Sequence, residues 1–227
     1  MAKLKKQKEE VLMHAIIFTN GTYEDLNFYQ NYLKSHPTAT IIGVDGGSDY
    51  IHLLNKTPDY IVGDLDSIDQ AILNQYKIEG VPIEQYSCQK DETDTELAIQ
   101  YCIQQKYTQV TILGGLGTRF DHSFGNLYLL NRLLKVGIEA KMINEYNQIQ
   151  LTNQTLKLQE KPGTTLSIMA FTDEAKGVTL KGFKYSVEEG IMNHYQPGYG
   201  ISNVVVLPQQ DILVKEGILL IDIIHEK

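Results

Sequence analysis

Between residues 15 and 144, short apolar runs alternate with segments whose apolar residues recur every three or four positions. The first pattern reads as buried strand and the second as amphipathic helix, since side chains repeat with a period of two on a strand and about 3.6 on a helix. Strands are predicted at Ala15–Phe18, Thr40–Val44, Tyr60–Gly63, Val81–Tyr86, Gln109–Leu113 and Ala140–Ile143, with helices around Leu26, Tyr29 and Leu33 and near Ile51, Ile72, Ala98 and Leu130. Such alternation predicts α/β architecture, a mostly parallel, Rossmann-like sheet flanked by helices. After Tyr146 the pattern changes to strands alone, at Thr155–Leu158, Thr165–Phe171, Gly177–Phe183, Ser202–Leu207 and Ile212–Ile224, with turns or bulges at Pro162-Gly163, Lys181-Gly182, Pro197-Gly198 and Glu216-Gly217. A small C-terminal β-sandwich is therefore expected over residues 146–227, behind an α/β domain over 13–145. The polar, lysine-rich start is unpatterned, and residues 1–12 are set aside as a disordered or extraneous extension.

Composition narrows the class. A chain of 227 residues with 42% hydrophobic and 21% charged residues suits one medium domain and one small one. No apolar run approaches the roughly 20 residues that span a bilayer. The formal charge of −8 disfavours nucleic acid and anionic membranes as partners, both of which demand clustered Lys and Arg. Cys88 and Cys102 have neither metal-type nor redox-type spacing, which fits a reducing cytoplasm. Cys102 shares a helical face with Leu97, Ala98 and Tyr101 and is expected to be buried. The six histidines are scattered singly, against a zinc site.

In open α/β sheets ligands bind beyond the carboxyl ends of the strands. Those positions carry Asp45-Gly46-Gly47, Gly63-Asp64-Leu65-Asp66-Ser67, Lys90-Asp91-Glu92-Thr93-Asp94 and Gly114-Gly115-Leu116-Gly117-Thr118-Arg119-Phe120-Asp121-His122. So many carboxylates on one edge repel one another unless a cation is present. Mg2+ is the simplest resolution, with Asp64 and Asp66 offering oxygen ligands on a short turn. Gly114, Gly115 and Gly117 allow backbone N–H groups to approach phosphate oxygens at a helix N-terminus, and Arg119 adds a charge-assisted fork. Plainer readings stand beside these. Asp45 and Asp121 also suit helix N-caps, and Thr93 with Glu96 fits a capping box. Asp64-Leu65-Asp66 alone also suits a metal-dependent glycosyltransferase holding a nucleotide-sugar diphosphate through a cation, and a nucleotide-sensing protein without catalysis is a further alternative. The glycine run fits neither the dinucleotide fingerprint nor the Walker sequence.

Taken in order, these four segments, with Asn126 beyond, resemble the thiamine pyrophosphokinase family, and Leu180-Lys181-Gly182-Phe183-Lys184-Tyr185 and Ser202-Asn203 resemble its thiamine-side segments. Two positions depart from the family pattern: Thr118 replaces a common glycine, and Tyr199-Gly200-Ile201 replaces a small, serine-rich approach to Ser202. The resemblance implies an ATP-binding catalytic α/β domain and a β-sandwich that binds thiamine and dimerises. The reaction implied is attack by the thiamine hydroxyl on the β-phosphorus of ATP, giving thiamine diphosphate and AMP. It further implies Asp64, Asp66 and Asp94 on Mg2+, Asp91 as metal support or proton acceptor, Arg119 on phosphate, and Asp45, Gly46 and Asp121 nearby. Tyr185 would stack on a thiamine ring or serve packing, and Ser202 and Asn203 would bind the pyrimidine or shape a turn. The expected assembly is a homodimer with thiamine between subunits.

Overall fold

The computed structural model describes residues 12–225, so the predicted N-terminal extension lies outside the described residues except for the exposed Leu12. The first half runs β1 (His14–Phe18), α1 (Leu26–Ser35), β2 (Thr40–Val44), α2 (Gly47–Leu53), β3 (Tyr60–Gly63), α3 (Gln70–Ile78), β4 (Ile83–Gln85), α4 (Asp94–Gln104), β5 (Gln109–Leu113), α5 (Phe120–Lys135) and β6 (Glu139–Ile143). Its six strands are parallel in the order β6-β5-β1-β2-β3-β4. The inner strands β1, β2, β3 and β5 are largely apolar because both faces are covered. Ile16, Phe18 and Leu113 pack with Tyr29 and Leu33 of α1 and Ile51 of α2 on one face, while Ala15, Ile17 and Ile112 pack with α4 and α5 on the other. Side-chain caps begin three of the helices: Asp25 accepts from Asn27 N (3.0 Å), Asp69 from Ala71 N (2.8 Å) and Thr93 from Glu96 N (3.2 Å). The Thr93 half of the capping box thus forms, while the Glu96 carboxylate turns to Arg132 at 3.0 Å. Cys102 is fully buried, and burial pushes its thiol up to about 12.

The second half comprises β7 (Asn147–Thr152), β8 (Leu156–Leu158), β9 (Thr165–Ala170), β10 (Glu174–Lys181), β11 (Val187–Asn193), β12 (Asn203–Val204), β13 (Gln210–Leu213) and β14 (Leu219–Ile224). The two halves share a sheet. β7 pairs antiparallel with β6, and β14, β9 and β12 follow, making one sheet of ten strands. A second sheet, β11-β10-β13-β8, covers the antiparallel end, with Leu166, Ile168, Ile221 and Ile223 facing Val178, Leu180 and Ile212 across the core. Glu145, in the β6–β7 connection, accepts from the backbone N–H of Glu24 and Asp25 at 2.7 Å each and from the Tyr29 hydroxyl at 2.8 Å, tying this turn to the segment before α1.

Three strands depart most from the sequence expectation, while β10 runs Glu174–Lys181 rather than Gly177–Phe183 and others shift by a residue. Ile212–Ile224 divides into β13 and β14 around Gly217, whose φ of 87° and close approach to the Glu174 carbonyl leave no room for a side chain. Ser202–Leu207 shrinks to Asn203–Val204, and Val81–Tyr86 to β4. β7 and β11 were not anticipated.

Asp222 sits within β14 and is pushed up to about 6 by burial. The Asn147 amide faces it and, with its oxygen and nitrogen exchanged, donates to Oδ1 and Oδ2 at 3.3 and 3.2 Å. A carboxyl whose folded value exceeds its unfolded value binds protons more tightly when folded, so it lowers stability as pH rises from about 4 to about 6. Asp222→Asn is therefore expected to be more stable than the parent at neutral pH, with the difference shrinking to nothing below about pH 4. Urea unfolding of both chains across this range checks it, and a pH-independent difference refutes the assignment.

Candidate active site

The chain runs outward through β1, β2, β3 and β4, then returns to place β5 on the other side of β1. The connections after β1 and β5 therefore leave the sheet in opposite directions, and a crevice opens between them. They touch backbone to backbone. A Cβ on Gly21 would lie 1.8 Å from the Gly114 carbonyl oxygen, and one on Gly114, at φ 70°, 2.4 Å from the Tyr23 hydroxyl. That hydroxyl lies 2.9 Å from the Thr19 carbonyl and 3.0 Å from that of Leu113, so Tyr23 joins the two strand ends. Within the glycine-rich loop, Gly117 N donates to Ser123 Oγ (3.1 Å) and Asn126 Nδ2 to the Gly115 carbonyl (2.9 Å).

The carboxylates gather beside this crevice. Asp45 leaves β2 at φ 45°, a left-handed conformation that Asp tolerates better than most residues. It is buried, and its Oδ1 accepts from Ser67 N at 3.1 Å. Burial pushes its carboxyl up, with the charge of Asp66 adding to the rise and the Ser67 and Gly46 donors opposing it. Asp45, Asp64 and Asp94 each present an oxygen within 4.8 Å of the others. Asp64 and Asp66 form a second such group with the Cys88 sulfur, whose thiol is raised chiefly by the Asp64 charge. The expected trio of Asp64, Asp66 and Asp94 is not itself one of these groups among the described residues; Asp45 takes the place of Asp66. Lys90 Nζ lies 2.5 Å from Asp94 Oδ1. Three acceptor-only groups this close suit a hard, oxygen-seeking cation.

The cleft between these groups measures about 610 Å³. Asp45, Asp64, Asp66, Asp94, Gly114, Gly115, Gly117 and Arg119 all line it. Asp91 is exposed outside it, Gly46 packs against Asn20, and Asp121 is turned to Arg119, accepting from Nε at 3.1 Å and Nη2 at 2.5 Å. That guanidinium holds the Asp121 carboxyl down at about 2. Asp121 makes no side-chain cap on α5, whose N-cap is Arg119. Asp45 likewise is not a cap, since Gly46 precedes α2.

Four lining residues that sequence reasoning passed over, Thr19, Asn20, Gly21 and Thr22, follow β1. The rule applied to the other strand ends would have found them. Tyr185, Ser202 and Asn203 lie in the antiparallel half and do not line the cleft of their own chain. Asn203 is buried, accepting from Tyr185 N at 3.0 Å and donating to the Tyr185 carbonyl at 2.8 Å, so its amide shapes the loop that presents Tyr185. Tyr185 is exposed, with Lys184 Nζ 5.3 Å from its ring centroid.

Family models described as "Thiamin pyrophosphokinase, catalytic domain" and "Thiamin pyrophosphokinase, vitamin B1 binding domain" match residues 29–142 and 153–219. The chain belongs to the thiamin pyrophosphokinase family. It is 30% identical over 146 residues to thiamine pyrophosphokinase of Bacillus subtilis, a match covering 63% of this chain and 68% of the relative. Thiamine pyrophosphokinase 2 of Arabidopsis thaliana is 40% identical over 81 residues, 33% of this chain and 30% of that one. The fold is shared with the crystal structure of the Bacillus subtilis enzyme (TM-score 0.83, 24% identity, 94% of this chain and all of that one) and of thiamin pyrophosphokinase from Candida albicans (0.78, 16%, 94% and 89%). Members of this thiamin pyrophosphokinase family are enzymes that transfer pyrophosphate to thiamine.

Because Gly114 stands at positive φ against Tyr23 and Thr19, Gly114→Ala is expected to lower stability by about 1–3 kcal/mol and to cut turnover more than stability alone explains. Chemical denaturation together with steady-state assays on the folded fraction tests this. Normal turnover in that fraction would show that the loop's position is not critical.

Proposed function

We propose that this cleft transfers the diphosphate of ATP to the hydroxyl of thiamine, releasing AMP, in a cytoplasmic, Mg2+-dependent homodimer. The observation that carries the reading is the convergence of Asp45, Asp64 and Asp94 oxygens within 4.8 Å beside a glycine-rich loop at the sheet's switch point. Asp45, Asp64 and Asp94 would hold the cation, which when bound neutralises phosphate oxygens and orients them. Asp66 orders the turn, accepting from Ser67 Oγ at 2.9 Å, and stands as a further candidate ligand beside Asp64. Arg119, exposed and paired among the described residues with Asp121, is free to exchange that carboxylate for a phosphate. Lys90 offsets the charge of Asp94 from within the cleft.

Residues 13–145 would thus serve ATP, and residues 146–227 thiamine and dimerisation. The match of residues 153–219 to a vitamin B1 binding domain supports the second assignment. Tyr185 and Ser202 are exposed and outside their own chain's cleft, and Tyr185, Tyr195, Tyr199 and Ile201 leave apolar surface uncovered. Both facts favour a site that a partner subunit completes.

Incubating the protein with ATP, Mg2+ and thiamine is expected to yield AMP and thiamine diphosphate in equal amounts. ADP with thiamine monophosphate would refute attack at the β-phosphorus. Asp64→Asn should fold normally yet lose more than about a hundredfold in turnover, since the amide supplies no charge to the cation. Mixing an Asp64→Ala subunit with a Tyr185→Ala, Ser202→Ala subunit under exchange conditions should restore about a quarter of parental activity, because about half of all dimers are mixed and each has one intact site. Verified exchange with no recovery would place the thiamine pocket within one chain.

A further inference from the structure

At the end of the sheet opposite the catalytic edge, the ladder between β6 and β7 stops early. Its register pairs Ile143 with Gln148, Met142 with Ile149 and Lys141 with Gln150, although β6 begins at Glu139 and β7 continues to Thr152. Past Lys141 each strand keeps only its outer neighbour, β5 for β6 and β14 for β7. The gap opens into a cavity of about 660 Å³, as large as the catalytic cleft and within the range of metabolite sites.

The side chains around it break the pattern of the sheet. On this face β1, β5 and β6 carry core residues at Ile16, Leu113 and Ile143. Two residues back on each strand, on the same face, stand His14, Thr111 and Lys141. Three strands turn polar in step, and Gln148 and Gln150 of β7 join them. Lys141 is partly buried, burial pushes its ammonium pKa down, and it makes no ion pair among the described residues. The neighbouring acid, Glu139, is exposed and accepts from Gln109 Nε2 at 2.7 Å. The rings of His14 and His36 meet edge to face at 5.1 Å. His14 Nε2 lies 2.9 Å from Thr111 Oγ1, and His36 Nδ1 is 2.8 Å from the Tyr32 carbonyl. A carbonyl only accepts, so His36 Nδ1 carries a hydrogen, with Ser35 Oγ 3.0 Å from the same nitrogen. Burial, with the charges of His36 and Lys141 after it, holds His14 down at about 4. The catalytic reading uses none of these groups.

We propose that this seam is a second ligand site, distinct from the catalytic cleft, which takes a small anion bearing phosphate or carboxylate, with Lys141 as counter-charge and Gln148 and Gln150 as amide donors. The ammonium is partly withdrawn from water with the Tyr32 ring, centroid 5.7 Å from Nζ, beside it and no carboxylate paired to it among the described residues, and an anion that reaches it offsets that desolvation while exchanging water for amide hydrogen bonds. The ligand would bridge the parallel and antiparallel halves where their own ladder fails.

Histidine-ring NMR of the full chain tests the site, with sodium phosphate and citrate titrated separately and no divalent metal added. Saturable movement of the His14 and His36 signals is expected with one or both anions, and which of them acts assigns phosphate or carboxylate as the recognised group. His122 lines the catalytic cleft and reports binding there instead. Lys141→Met should weaken the His14 and His36 response at least about tenfold, the loss expected for a charge-assisted bond. Gln150→Leu, which keeps the charge, should weaken it several-fold and serves if the first variant does not fold. Unmoved His14 and His36 signals with both anions, movement of His122 alone, or unchanged affinity in a folded variant overturns the proposal.

Discussion

Everything at the catalytic edge depends on how closely the backbone leaving β1 approaches the backbone leaving β5. With Gly21 against the Gly114 carbonyl, no side chain fits between the two strand ends, and Tyr23 closes the contact by reaching both the Thr19 and the Leu113 carbonyl. Tyr23 is itself held by stacking on Tyr50, ring centroids 4.0 Å apart, which carries the constraint into α2. Gly47 repeats the arrangement, since a Cβ there would lie 2.2 Å from the Phe18 carbonyl. The exits of β1, β2 and β5 thus meet as bare backbone. The carboxylates of Asp45, Asp64 and Asp94 surround that junction, and the glycine loop lies across it.

Such packing puts negative charge where water is scarce. Asp45 bears most of the burden, since burial and the Asp66 charge both push its carboxyl up while the Ser67 and Gly46 donors hold it back. Lys90 offsets Asp94 only in part. Toward solvent the balance reverses. Arg119 and Asp121 satisfy each other at the exposed rim, where an ion pair is worth little and exchanges readily for another anion. The cleft thus runs from a cation-seeking interior to an exchangeable cation at its rim.

Much of this was legible in the chain, for identifiable reasons. β2, β3 and β5 end where their apolar runs end, because strands covered on both faces are predominantly apolar. β7 was not predicted, although Gln148 and Gln150 alternate with Ile149 and Leu151 as on a strand with one polar face. β11 escaped because Glu188 and Glu189 interrupt it and Glu189 sits at φ 50°. Among the candidate site residues, Asp45, Asp64 and Asp94 were singled out by the strand-end rule, and the structure brings all three to the lining of one cleft. The partnership of Asp45 with Asp64 and Asp94 was hidden, since it depends on how far β2 and β3 bring two turns toward α4. Tyr185, Ser202 and Asn203 were legible only through family resemblance, and no local signal announced that Asn203 would be consumed by the Tyr185 backbone.

The ten-stranded sheet has a consequence for how such a protein can change over generations. A chain whose halves were joined by a tether could trade one half for another by recombination, as multidomain proteins often do. Here a cut after Ile143 would strip β6 of its β7 partner and bare an edge bearing Met142 and Ile143, an invitation to pair with any passing strand. The same cut would release Glu145 from the loop that frames α1. Exchange of either half as a cassette would therefore have to rebuild this edge and the Glu145 contacts together.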